Sequence, residues 1–234
     1  MKKTILISLI LFGLMSCKSK IEGEGPASFE QEFETDIFGE LEISCNCDVT
    51  LIPSENTKIV VESHQNLIDN LQIDSKRKKL KISEKNKVKK YSLYNLNIYF
   101  NSELSKVELK DQSKLKISGT LKAEKMEFKT SGNSIINDAF VDIDKFKIET
   151  KDNSNVYIKG TAIDLNVDTG NESIVDLFEL QSVDVNFKAK DNSNLSVSPM
   201  KNLKGTAVDN SVVNYKGDPN KDATAKDKSI IEKK

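Results

Sequence analysis

There is no tryptophan in these 234 residues, only one histidine, three cysteines and four prolines. A single histidine, His64, makes a zinc site improbable and reads as a satisfied or exposed residue near a turn. Neither charge sign dominates: 35 basic side chains face 36 acidic ones. No global basic field would draw nucleic acid, so nucleic-acid partners are not expected. No phosphate-binding glycine loop, no nucleophile elbow and no zincin motif occurs. The 37% hydrophobic content is enough for a core, but a thin one.

Apolar runs are short, with one exception at the start. In "MKKTILISLILFGLMSC", Lys2 and Lys3 precede the apolar stretch Thr4 to Met15. That stretch falls short of the roughly 20 residues a membrane-spanning helix needs. The segment Leu14 to Cys17 resembles a bacterial lipobox. The resemblance implies removal of residues 1–16, acylation of Cys17, and anchorage in the outer membrane, facing either the periplasm or the cell surface. Several acyl chains on one cysteine hold stably, whereas one binds marginally. Residues 17–28 then read as the lipidated end and a polar tether. Cys45 and Cys47 remain. Two apart on one strand face, they would make a strained disulfide at best, so they are expected to be small buried side chains.

What the sequence has in quantity is one recurring phrase. "KDNSNVYIKG" begins at Lys151, "KDNSNLSVSP" at Lys190 and "VDNSVVNYKG" at Val208. One serine per copy aligns as Ser113, Ser134, Ser154, Ser173, Ser193, Ser211 and Ser229, a period near 19. Two residues later come Leu115, Ile136, Val156, Val175, Leu195, Val213 and Ile231. Apolar and polar residues alternate on both sides of the serine, which means strands with one buried face. A third inward position is expected from Leu121, Phe140, Ala162, Leu180 and Met200. A unit this short buries its apolar side only by stacking on its neighbours. The fold expected is an all-β, single-stranded parallel β-helix of about 19 residues per rung, right-handed by the crossover rule. The Asp-Asn and Gly-Asn pairs before the serine suit left-handed backbone angles at a tight corner. Regular repeats are expected over 101–234, with strand-rich first rungs or a cap over 29–100.

The lipobox, a "DVTLI" strand near residue 50, "NLIDNLQI", "LKIS", the repeated Ser-turn-Ser corners and a closing "NYKGDP" together resemble a known bacterial family. It is the family of auto-transporter adhesin head GIN domains, and the resemblance covers about Phe29 to Lys233. It implies an envelope lipoprotein on a β-helix, and it brings no catalytic residues with it.

Three groups of residues are candidates for function. The column Asp111, Asp152, Asp191, Asp209 would stack at rung spacing, where neighbouring carboxylates repel by about 3 kcal/mol at an effective dielectric near 20. The lysines before them offset this, so a surface ladder is expected, and no calcium-binding nonapeptide accompanies it. Tyr91 and Tyr94 with Lys89 and Lys90 form a basic, aromatic segment suited to a glycan, although a core strand after a solvated loop accounts for it too. No opposed carboxylate pair for sugar hydrolysis is visible, so the chain reads as a non-enzyme without cofactor or metal. The partners expected are a membrane through Cys17, a glycan or an envelope protein, or further copies of the chain in an end-to-end scaffold.

Overall fold

A computed structural model describes residues 20–234, so the leader and Cys17 lie outside the described residues. The first half supplies β1 (Lys20–Glu22), β2 (Phe29–Glu34), β3 (Glu40–Ser44), β4 (Asp48–Pro53), β5 (Lys58–Ser63) and α1 (Gln65–Asn70). After them come β6 (Leu71–Lys76), β7 (Lys79–Glu84), β8 (Lys87–Lys90) and β9 (Tyr94–Phe100). The second half continues with β10 (Lys106–Lys110), β11 (Lys114–Ile117), β12 (Thr120–Thr130), β13 (Ile135–Thr150), β14 (Asn155–Thr169) and β15 (Ile174–Ala189). It ends with β16 (Asn194–Ala207), β17 (Val212–Tyr215), β18 (Asn220–Ala225) and β19 (Ile230–Lys233). Strand accounts for 67% of residues and helix for 3%, in a β-solenoid of about 6 turns.

The repeat forms parallel rungs. Met126 pairs with Phe146, Phe146 with Leu165, Leu165 with Val185 and Val185 with Leu203, all buried. The first half joins the same stack out of sequence order. β3 and β4 pair in parallel with β10 and β11 on one side and with β7 and β9 on the other. Antiparallel strands flank that end: β5 lies along β9, β2 along β5, and β6 along β7. Such pairings cover edges that would otherwise invite aggregation.

The corners carry the phrase that marks the sequence. Asp111-Gln112, Asp152-Asn153, Asn171-Glu172, Asp191-Asn192, Asp209-Asn210 and Asp227-Lys228 all have positive φ, as do Gly132 and Asn133. Each second residue donates its N–H to the next corner: Asn133 to Asp152 O at 3.0 Å, Asn153 to Asn171 O at 3.0 Å, Glu172 to Asp191 O at 2.9 Å. Two consecutive left-handed residues turn a chain tightly, and Asn, Asp and Gly adopt them at least cost. The serine next in the chain is buried from Ser113 through Ser211. Its hydroxyl closes the turn, as Ser173 Oγ does by donating to Gly170 O at 2.6 Å, or ties it to the preceding rung, as Ser211 Oγ does by donating to Ala189 O at 3.0 Å. Serine recurs because the corner interior needs a small side chain that can satisfy a buried carbonyl.

Four residues before the serine the pattern is less satisfied. Thr130, Thr150 and Thr169 are buried, and their hydroxyls have no partner. Later rungs place Ala189 and Ala207 there instead. A buried unpaired hydroxyl costs about 1–3 kcal/mol. Thr150→Val keeps the shape and removes that cost, so it should raise stability by about 1 kcal/mol in chemical denaturation. A loss of stability would show that the hydroxyl is satisfied after all.

Two side chains expected inward point out. Phe140 is 52% exposed and Met200 63% exposed, whereas Leu121, Ala162 and Leu180 are buried. Register slips between Ile136 and Ala139, where Asp138 takes a φ of 52°, and Val141 fills the inward place of Phe140. A second slip between Ser182 and Asp184 sets Pro199 opposite Ser182 and turns Met200 outward. One inserted residue reverses the face of the residues after it. Cys45 and Cys47 are fully buried but not free: they form a disulfide, with Cα atoms 5.4 Å apart. They bracket the corner between β3 and β4, a rung below Ser113, whose hydroxyl donates to Cys45 O at 2.9 Å.

Candidate ligand-binding groove

A departure from regularity lies at the bend just after the serine corner. Three successive rungs lose register there: between Ile136 and Ala139, between Tyr157 and Gly160, and between Asp176 and Gln181. Slipped strands splay and re-aim their side chains. The result is an outward groove of about 650 Å³ lined by Asn137, Asp138, Tyr157, Lys159, Asp176, Phe178, Glu179 and Lys216. The volume lies within the range of small-molecule sites.

Its chemistry is aromatic between polar rims. Tyr157 is 38% exposed and Phe178 half-buried. Asp176 stands directly opposite Tyr157 in register and accepts the Phe178 N–H at 3.1 Å. Lys216 Nζ lies 4.2 Å from the centre of the Phe178 ring, a cation–π contact. Lys159 pairs with Glu179 at 3.1 Å, closing one side. Two partly exposed rings flanked by amide, carboxylate and ammonium groups can stack on an apolar face and hydrogen-bond the polar edge of one ligand.

A second trough, of about 440 Å³, lies on the face before the serine, along Glu108, Lys129, Glu149, Lys151 and Lys190. Part of its charge is paired within and beside it. Lys129 meets Glu149 at 2.7 Å, Lys147 meets Glu127 at 3.0 Å, and Lys147 also pairs with Glu149. Burial works against the Glu127 and Glu149 carboxylates, but these lysines outweigh it and hold both below the usual range. The lattice continues at Glu42, where Lys79, Lys81 and Lys110 converge. Burial would raise the Glu42 carboxyl, yet the three lysines bring it down to about 2. The paired carboxylates at Glu127, Glu149 and Glu42 are thus already neutralised, while Lys151, Asp168 and Lys190 along the trough make no ion pair among the described residues.

Asp111, Asp152, Asp191 and Asp209 each hold the first left-handed position of a corner, with φ between 54° and 57°. Asn171 Nδ2 donates to Asp152 Oδ1 at 3.0 Å, and Ser44 Oγ meets Asp111 Oδ2. Gly132 and Asn171 separate Asp111, Asp152 and Asp191, while Asp191 and Asp209 hold consecutive corners joined by the Asn192 N–H to Asp209 O at 2.9 Å. Tyr94 is fully buried against Tyr91, ring centres 5.6 Å apart and edge to face. Burial raises both phenols, Tyr91 to about 12 with Asp48 contributing. Tyr94 is thus withdrawn from any surface, while Lys89 and Lys90 are exposed on β8. The groove has a single mark in the sequence pattern. It is Asp138, a charge where the other copies between Ile117 and Val197 place Ile117, Ile158, Leu177 and Val197.

The family model described as "Putative auto-transporter adhesin, head GIN domain" matches residues 37–219. The chain belongs to this family. Solved structures share its fold over nearly their whole length. A protein described as a putative adhesin from Bacteroides fragilis superposes with a TM-score of 0.84 at 14% identity, over 91% of this chain and 99% of its own. A putative adhesin from Parabacteroides merdae gives 0.72 at 18%, over 92% and 99%. A protein described as a putative lipid binding protein from Parabacteroides distasonis gives 0.73 at 18%, over 92% and 99%. At these identities the likeness is one of fold. Among curated proteins none matches.

Proposed function

We propose that this chain is a non-catalytic envelope adhesin, anchored in the outer membrane through an acylated Cys17, whose groove binds a neutral glycan. Membership of the adhesin family supports an envelope role, and the leader-like residues 1–17 support the anchor. The groove at Tyr157 and Phe178 is the observation that carries the glycan reading. Sugar rings offer apolar C–H faces and hydroxyl edges, and this groove pairs aromatic faces with Asn137, Asp138 and Asp176. The ring contacts are held by packed rungs, so little ordering is needed on binding. The outer edges of β18 and β19 carry no further strand among the described residues, which is the feature favouring end-to-end stacking instead.

The test is a screen of neutral oligosaccharides against the chain carrying Cys17→Ser, with calorimetry on any binder. Tyr157→Ala and Phe178→Ala are each expected to weaken binding about ten-fold, a typical value for one aromatic contact. Undiminished binding in the double variant would move the site elsewhere. Absence of binding to every sugar tried would remove the glycan from the proposal.

A further inference from the structure

From Lys20 onward the chain is strapped to the body rather than hanging from it. β1 runs parallel to β8, with Lys20 opposite Lys87 and Ile21 opposite Val88. Val88 is buried and Ile21 packs against the core. The strap continues past the strand: Gly23 N donates to Lys90 O at 2.8 Å, and Asn66 Nδ2 to Glu22 O at 2.8 Å. His64, buried beneath, holds the next turn. Its Nε2 accepts the Ser92 N–H at 3.3 Å, which leaves Nδ1 to donate to Gly25 O at 3.0 Å. A Cβ on Gly23 would fall 2.3 Å from the His64 ring, so the strap crosses directly over it.

This strap sets a distance. Cys17 precedes Lys20 by three residues, which span at most about 11 Å when fully extended. A lipid on Cys17 would therefore hold the outer face of β1 and β8 against the headgroup layer. Ile21 and Val88 turn inward, so Lys20, Lys87 and Lys89 turn outward together, as alternation requires. Lys85 and Lys90 are exposed beside them, and Glu22 is the acid in the paired strands.

We infer that this lysine face docks on the anionic surface of the membrane that carries the anchor, contacting the phosphates of its lipid headgroups. Resting on the Cys17 anchor, the inference adds an electrostatic contact to an attachment the acyl chains already make stable, and that contact sets which face meets the surface.

The probe is vesicle sedimentation of the mature chain, residues 17–234 carrying Cys17→Ser so that neither leader nor lipid is present, with phosphatidylglycerol-containing vesicles compared against pure phosphatidylcholine. Binding is expected only to the anionic vesicles and should fall steeply with added salt. Each surface lysine contributes about five-fold, so Lys87→Gln, Lys89→Gln and Lys90→Gln together should weaken binding by about 100-fold. A control removing Lys188, Lys201 and Lys228 in the same way, far along the solenoid, should leave it unchanged. Equal binding to neutral vesicles, or equal loss in the control, overturns the docking face. Because this probe lacks the acylated cysteine, its failure leaves the anchor standing. Radiolabelled palmitate incorporation into the native chain, compared with Cys17→Ser, decides the anchor separately.

Discussion

Gly160→Ala destabilises the protein by about 3 kcal/mol or more and lowers its melting temperature by roughly 6–12 °C. Gly160 lies mid-rung in β14, opposite Val141 on one side and Leu180 on the other. Its φ of 121° is one that L side chains rarely adopt, and a Cβ there would sit 1.9 Å from the Val141 carbonyl oxygen. The offending atom is backbone inside a packed sheet, so relief requires two rungs to separate. Gly119 is the comparison: its φ is 81°, but nothing lies within 4 Å of its Cβ position. Gly119→Ala should cost only the conformational strain, about 1 kcal/mol. Thermal unfolding of both variants decides the matter. Equal losses would mean that the rungs part easily and that register at this bend is held elsewhere.

Removing Glu42 is the second large effect, and it is pH-dependent. The Glu42 carboxylate receives Lys79, Lys81 and Lys110 from neighbouring strands and is only 10% exposed. Hydrogen bonding to Glu42 raises Lys79 in turn. The folded carboxyl lies near 2, below its unfolded value of 4.5. A depressed acid stabilises the fold above the unfolded value, and the contribution is lost as pH falls from about 4.5 toward 2. Taken alone the shift corresponds to about 3 kcal/mol. The lysine partners are 35–50% exposed, so solvent screening reduces this to about 2 kcal/mol. Glu42→Gln should therefore be about 2 kcal/mol less stable at pH 7 and nearly indistinguishable from the native chain at pH 2. Urea titrations at pH 7, 4.5 and 2 read this directly. A difference that persists unchanged into acid would assign the loss to packing rather than charge.

Both effects arise between rungs, and only part of each is visible in the sequence. The serine period and its Asp-Asn pairs were legible because one physical requirement, a tight left-handed corner, recurs in every copy. Strands β2 to β5, β7 and β9 were legible from alternation. β1 and β8 were not, because three or four residues in a lysine-rich setting look the same paired or solvated. The parallel register with which β3 enters between β7 and β10, and β4 between β9 and β11, joins residues 39 to 66 apart, and nothing local encodes it. The charge lattice was hidden likewise: Glu108, Lys129 and Glu149 are a rung apart in sequence and adjacent in space.

The sequence by itself determined the unit, its corner chemistry and the stacking that must result, since a rung with one apolar face has no other way to bury it. Tertiary structure decided where the stack is imperfect. Phe140 and Met200 turn outward, Tyr157 and Phe178 border an open groove, and Tyr94 disappears into the core. The outward turns and the groove depend on short slips in register between neighbouring rungs. Such a slip costs little locally, yet it exchanges the inside and outside of every later residue until register returns.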